Sequence, residues 1–353
     1  MKGKTVMAAR KILLIGGTGT ISSAITEKLA KDPAWEVTLF NRGKRGVSVP
    51  ENVKVIQGDI NDEAAAAELL KDSSWDCVGE FVVYRPDQAE RDIRLFAGKT
   101  KQYIFISTCM AYNTPPSTPF ITEGMLQKNE YSVYAKDKIA CEQVYLKAFR
   151  ELNFPITIVR PSHTYSLRSI PFSLESPKGS WPVIKRMLEG KPIIQPGDGS
   201  SLWVITLNED FAKGYTGLVG NPHAIGESVH ITTDEVLTWD QMAQTVAEAL
   251  NVPYKPYYIP TDVIAALAPG VAEGLNGDKR HSVIYDNSRL KKLVPDYCAT
   301  VTWREGVRRA LEVIMADERL RPEDPEFDNW CDTMIEIYDK ALAEAKERCT
   351  YLK

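Results

Sequence analysis

The sequence predicts an α/β protein: a doubly wound parallel sheet followed by a smaller mixed lobe on its C-terminal side. Three observations carry this. Short apolar runs rich in β-favouring residues alternate with helical patterns over residues 11–160. The first run, Ile12-Leu13-Leu14-Ile15, stops at Gly16-Gly17-Thr18-Gly19, and a helical pattern (Ile21, Ile25, Leu29) starts at once. Beyond Arg160 the alternation becomes irregular. Strands that alternate with helices pair in parallel and are covered on both faces.

The elements follow in order. Residues 11–16 read as a strand and 19–31 as its helix, after a loose tail over 1–9. Strands are expected at 35–40 and 53–57, a helix over 62–70 capped by Asn61, and a strand at 75–83. Residues 86–96 are helical, with proline at the tolerated first turn. A strand at 102–107 leads into a proline-rich loop over 113–130, then a long helix at 132–150 and a strand at 155–160. Residues 166–181 read as loop, 181–189 as helix, 192–195 as strand, and 196–199 as a turn. Strands at 203–207 and 228–232 precede helices at 239–250, 303–315 and 326–348. The dinucleotide-type domain is therefore placed at 10–165, with a return over about 202–232. The second lobe and the C-terminal helices take 166–201 and 233–353, and the last helix, with Trp330, is read as packing or a subunit contact.

Bulk properties narrow the classes. The 353 residues carry a net charge of -4, so nothing calls for nucleic acid or an anionic membrane as the main partner. No run is long and apolar enough for a signal peptide or a membrane span. The six cysteines lack metal-ligand spacing or a disulfide framework, which suggests a reducing cytoplasm and no metal site.

The glycine turn is chemically suggestive. Gly16 and Gly19 let the backbone turn sharply and approach a ligand, and the helix start at Thr20 and Ile21 favours an anion such as a pyrophosphate. The third small residue of the pattern is Ser22, read as a packing substitution. Standing after the first strand, the turn sits where a Rossmann-type sheet binds a dinucleotide. A second motif, Tyr134-Ala-Lys-Asp-Lys138, lies on the long helix. Positions i and i+4 share a face, so phenol and ammonium point at one site, and a nearby cation lowers a tyrosine pKa toward acid/base use. Ser107-Thr108 at the end of the preceding strand offers a hydroxyl to the same substrate oxygen.

With Gly58-Asp59-Ile60, Phe105-Ile106-Ser107-Thr108, Tyr134 and Lys138 followed by Glu142, Arg160-Pro161, Pro196-Gly197-Asp198-Gly199 and Asp286-Asn-Ser-Arg289, the chain resembles an extended short-chain dehydrogenase/reductase of the NAD-dependent epimerase/dehydratase family. The resemblance implies Thr108 as the catalytic hydroxyl, Tyr134 as acid/base, and Lys138 on the nicotinamide ribose. It implies Asp59 on the adenine with Ile60 beside it, Phe81 and Val82 against the cofactor in place of the usual Ala-Ala, and Pro161 among the cofactor contacts. His163 replaces the family's common Asn near the substrate. Tyr84, Arg85, Cys109, Arg168 and Trp203 join it as substrate candidates, each with an ordinary packing or surface role as the alternative.

Several positions depart from the family pattern. Asn41 replaces the acidic residue that grips the 2′-hydroxyl of NAD, and Arg42, Lys44 and Arg45 follow it, so the loop leans to NADP over NAD; a solvated basic loop is the alternative. Cys109-Met110 replaces the acidic pair of dehydratases, which disfavours dehydration. Trp203 stands where sugar-nucleotide enzymes place a phosphate-binding Arg, and Glu80 replaces a frequent His. The resulting expectation is an NAD(P)-dependent epimerase or reductase, a homodimer in the cytoplasm, acting on a hydroxyl or keto group of a sugar or sugar-nucleotide-like substrate. A non-catalytic dinucleotide-binding or RNA-associated protein of the same fold is the alternative.

Overall fold

The computed structural model describes residues 8–43 and 49–349. Residues 1–7 of the expected tail, and Lys44 and Arg45 of the basic loop, lie outside the described residues. In chain order the first elements are β1 (Arg10–Ile15), α1 (Ser22–Ala30), β2 (Trp35–Asn41), β3 (Lys54–Gln57), α2 (Glu63–Leu69), β4 (Cys77–Glu80), α3 (Pro86–Phe96) and β5 (Tyr103–Ile106). There follow β6 (Phe120–Ile121), α4 (Val133–Leu152), β7 (Ile156–Pro161), β8 (His163–Tyr165), α5 (Trp181–Leu188), β9 (Ile193–Pro196), β10 (Leu202–Trp203) and β11 (Ile205–Leu207). The rest are α6 (Asn208–Leu218), β12 (Ser228–Ile231), β13 (Leu237–Thr238), α7 (Trp239–Ala249), β14 (Pro256–Ile259), α8 (Thr261–Leu267), α9 (Pro269–Gly274), β15 (Ile284–Tyr285), α10 (Ser288–Leu293), α11 (Trp303–Ala316) and α12 (Pro325–Arg348).

The first compact unit comprises residues 1–166, 204–236 and 283–301. Its seven strands run in the order β12-β7-β5-β4-β1-β2-β3, and every neighbouring pair is parallel. The strand order reverses between β1 and β4, which opens a crevice at their carboxyl ends, where such sheets take ligands. Period-two alternation builds both faces: Ile12 and Leu14 pack with Ile25, Phe211 and Tyr215, while Leu13 and Ile15 pack with Ala66, Phe96 and Tyr145. All of these side chains are fully or almost fully buried, as expected for a sheet sandwiched between helices.

Local chemistry sets the helices that carry the site. The Ser132 hydroxyl caps α4 by accepting from Ala135 N at 3.0 Å, and Asn153 closes it in the left-handed region at φ 54°. At the start of α3, the Gln88 side-chain oxygen accepts from Tyr84 N at 2.7 Å and Arg85 N at 3.1 Å. The α2 cap is Asp62, whose carboxylate accepts from Ala65 N at 3.1 Å. Asn61, the expected cap, instead turns its side chain to Asp59 and Arg91.

Residues 283–301, assigned from sequence to the second lobe, belong to the first unit. There β15 extends β6, and Leu290 and Tyr297 enter the core beneath β12. The reason is the apolar face of α10, which finds its partner on this sheet. The second unit, residues 167–203, 237–282 and 302–353, has its own core of Leu174, Ile194, Ile259, Ile264, Leu275, Cys331 and Met334. Trp330 packs against that core, and buried Arg186 ties α12 to α5 through Asp328 and through Asp332 at 2.7 Å. Among the described residues no helix is long and apolar enough to cross a membrane.

Candidate active site

The β1–α1 turn is built for close approach. Gly16 has φ +88°, and a Cβ there would lie 2.6 Å from Val82 Cγ1; at Gly17 a Cβ would lie 2.5 Å from Leu39 Cδ2. The left-handed φ at residue 16 calls for glycine, and a side chain at residue 17 would force Leu39 to shift. The Ser22 hydroxyl donates to Gly16 O at 2.9 Å and accepts from Gly19 N at 2.8 Å. Ser22 is thus more than the packing substitution its sequence position suggests. Thr20 is exposed and Ile21 half-buried, and among the described residues neither backbone N–H has a hydrogen-bond partner.

Around this turn lie the other cofactor candidates. Asp59 is exposed and its Oδ1 accepts from Asn61 N at 3.0 Å, with Ile60 buried beside it. Phe81 and Val82 follow β4, and the Phe81 ring packs 5.5 Å from that of Tyr215. Burial and neighbouring Asp92 push the Glu80 carboxyl well above the usual range, and Glu80 accepts from Val82 N, bracing this wall. Asn41 ends β2 and its Oδ1 accepts from Gly43 N at 2.9 Å, while Arg42 is exposed. Pro161 is the buried last residue of β7.

The structure brings Tyr134 and Lys138 to the ends of β4 and β5. Lys138 is 3 % exposed, and its Nζ donates to Val83 O at 2.6 Å and Ile106 O at 2.8 Å. Burial pushes its ammonium down to about 8. The Tyr134 ring centroid lies 5.8 Å from that Nζ, and the Tyr84 centroid 4.8 Å. Tyr84, 50 % exposed, packs its ring 6.5 Å from that of Tyr134. Thr108 stands two residues past Ile106, opening a 3₁₀ turn over Cys109–Ala111, and its Oγ1 accepts from Met110 N at 3.1 Å.

The remaining substrate candidates divide. His163, in β8, pairs in register with Ile205, and Arg85 is an exposed residue paired with Asp87 at 3.1 Å. Cys109 is buried, and its thiol donates to Arg160 O at 3.4 Å. Arg168 and Trp203 belong to the second unit, Arg168 exposed. Trp203 is 2 % exposed and its ring packs 5.3 Å from that of Trp239, so it is core there.

One cluster escaped the site assignment. Ser107 Oγ donates to Glu142, which also accepts from Arg160 Nε at 2.9 Å, Arg160 Nη2 at 2.6 Å and Gln127 Nε2 at 2.7 Å. Arg160 Nη1 donates to Tyr112 OH at 2.8 Å, and that hydroxyl meets His230 Nε2 at 2.5 Å. His230 Nδ1 donates to Asp286 O at 2.7 Å, since a carbonyl only accepts. Nε2 is therefore the acceptor for Tyr112. Burial pushes the imidazole down to about 4. The legible signal was Glu142 itself, four residues beyond Lys138 and so on its helix face.

Known proteins place the chain's fold and family. The profile of the NAD dependent epimerase/dehydratase family matches residues 12–232. The 2′-dehydrokanamycin reductase of Streptomyces kanamyceticus is 24% identical over 305 residues, covering 86% of this chain and 84% of that protein. A UDP-glucuronic acid 4-epimerase from Bacillus cereus, solved with UDP-glucuronic acid and NAD, is similar at TM-score 0.69 and 19% identity, covering 87% of this chain and 99% of that one. The epimerase Mth375 of Methanothermobacter thermautotrophicus is similar at TM-score 0.71 and 18% identity, covering 89% and 94%. With its parallel sheet, glycine turn and family profile over more than half its length, the chain belongs to the NAD-dependent epimerase/dehydratase family.

Proposed function

We propose that the chain is an NAD(P)-dependent epimerase or reductase acting on a hydroxyl or keto carbon of a sugar derivative. The observation that carries this is the double anchoring of Lys138 on Val83 O and Ile106 O, with the Tyr134 ring 5.8 Å from its ammonium. A buried cation held there favours phenolate and suits Tyr134 to take or return a hydroxyl proton. Thr108 hydrogen-bonds the same substrate oxygen. Gly16, Gly19, Thr20, Ile21, Asp59, Ile60, Phe81, Val82 and Pro161 hold the dinucleotide, which supplies a hydride acceptor or donor when bound. The forced glycine at 16 and the unpaired N–H groups of Thr20 and Ile21 fit such a group. Asn41 carries no charge to repel a 2′-phosphate, and with Arg42 it favours NADP. The sugar class draws on relatives named for a dehydrokanamycin and for UDP-glucuronic acid. Cys109, turned into the core, offers no acid for an elimination.

The test is turnover of NAD(P)(H) with a panel of sugars, aminoglycoside ketones and sugar nucleotides, comparing wild type with Tyr134→Phe. The variant should lose about 10²- to 10⁴-fold in turnover while binding dinucleotide normally. Undiminished turnover would remove Tyr134 from the mechanism.

A further inference from the structure

In this family position, a third glycine or similarly small residue lets helix and strand pack; here α1 carries Ser22, 1 % exposed, and one turn later Thr26, 3 % exposed. Both hydroxyls face back onto the glycine turn. Ser22 Oγ bridges Gly16 O (2.9 Å) and Gly19 N (2.8 Å), and Thr26 Oγ1 donates to Gly17 O at 2.7 Å. Spacing of i and i+4 puts them one above the other on the same helix face. A third side chain arrives from far along the chain: Asn208, at the start of α6, donates through Nδ2 to Thr20 O at 2.8 Å. Gly19 O is taken by Ser23 N at 3.0 Å.

A carbonyl left loose at such a turn can swing toward a bound anion and repel it. Here the carbonyls of residues 16, 17, 19 and 20 are all engaged by protein donors, whereas among the described residues nothing engages the N–H groups of Thr20 and Ile21. Fixing donors in place before the ligand arrives removes an ordering cost from binding.

We propose that Ser22, Thr26 and Asn208 are positioning residues of the dinucleotide site: they clasp the carbonyls of the glycine turn and so aim the N–H groups of Thr20 and Ile21 at the pyrophosphate. This rests on the reading of the turn as a dinucleotide site. Ser22 then does by hydrogen bonding what a glycine at its position does not, and the departure from the glycine pattern is part of the site.

The test titrates NADPH, NADH, ADP-ribose and adenosine against wild type, Ser22→Ala, Thr26→Val and Thr26→Ser. Thr26→Val keeps the shape and removes the hydroxyl; Thr26→Ser keeps the hydroxyl. One lost hydrogen bond corresponds to about fivefold in affinity. Thr26→Val should therefore weaken ADP-ribose and both dinucleotides about fivefold, and Ser22→Ala, losing two bonds, about 10- to 30-fold. Adenosine, which lacks the pyrophosphate, should bind all four proteins alike, and Thr26→Ser should bind like wild type. Unchanged ADP-ribose affinity in folded Thr26→Val, or equal weakening of adenosine and ADP-ribose, overturns the proposal and leaves the dinucleotide site standing. A wild-type protein that binds neither NADH nor NADPH overturns both.

Discussion

Lys138 donates to the carbonyl of Val83 at 2.6 Å, across 55 residues of sequence, and to that of Ile106 at 2.8 Å. One ammonium thus ties the exit of β4, the exit of β5 and helix α4 together. Tyr84, Thr108 and Tyr134 all hang from the segments it joins, which makes Lys138 the mechanical centre of the site as well as its cation.

Burial holds the folded Lys138 ammonium at about 8, below the ordinary 10.5. Between those values the unfolded chain binds the proton and the folded chain does not, so stability rises with pH across that window, by about 3 kcal/mol from this group. Activity moves the other way: turnover should fall above about pH 8 as the cation is lost. Lys138→Met should abolish turnover and remove this contribution from a series of urea unfolding curves. A flat rate profile to pH 10 would contradict the assignment.

Glu142 and Arg160 form an ion pair at 2.6 Å with both side chains almost wholly buried. Removing one partner strands the other charge. Glu142→Ala should cost about 3–5 kcal/mol by urea denaturation. A loss under 1 kcal/mol, the range of exposed pairs, would mean that water reaches Arg160.

His230 predicts an acid limit. Its folded pKa is depressed to about 4 from 6.5, because charging it would bury a cation facing Arg160 and Arg289. Between pH 6.5 and 4 the unfolded chain binds more protons, so stability falls as pH falls, by up to about 3 kcal/mol. His230→Gln should flatten that part of the pH–stability curve. An unaltered slope would place the acid sensitivity elsewhere.

Asn41→Asp should shift the dinucleotide preference toward NADH. A carboxylate at the end of β2 grips a ribose hydroxyl and repels a 2′-phosphate. The NADPH-to-NADH affinity ratio is expected to drop at least about tenfold, or 1.4 kcal/mol. A constant ratio would show that the end of β2 does not read the 2′ position.

The sheet was readable because its central strands are buried on both faces: runs such as Ile12–Ile15 are apolar throughout and bounded by glycine. The Tyr134/Lys138 pair was readable because one helix carries both. What the sequence concealed depends on long-range partners. For Trp203 the sequence leaves a substrate contact and a packing role side by side, and only its partner Trp239, 5.3 Å between ring centres, shows the packing. The core role open to Cys109 in the sequence is the one its burial agrees with, but its bond partner, Arg160 O, lies 51 residues away and has no local signal. The return of residues 283–301 to the first unit carries no local mark, since α10 has the same pattern whichever sheet it covers.

The Asn208–Thr20 hydrogen bond, at 2.8 Å over 188 residues, has a consequence for dissecting the molecule. A fragment ending before residue 204 retains every glycine of the turn and the Tyr134/Lys138 helix, but not α6, β12 or the amide that holds Thr20. Such a truncation should emerge as a poor nucleotide trap with a raw apolar flank where Phe211 and Tyr215 covered β1. On the proposed reading of the turn, its grip on a nucleotide is completed by the middle third of the chain, so grafting the N-terminal half onto another protein should transfer the motif without that grip.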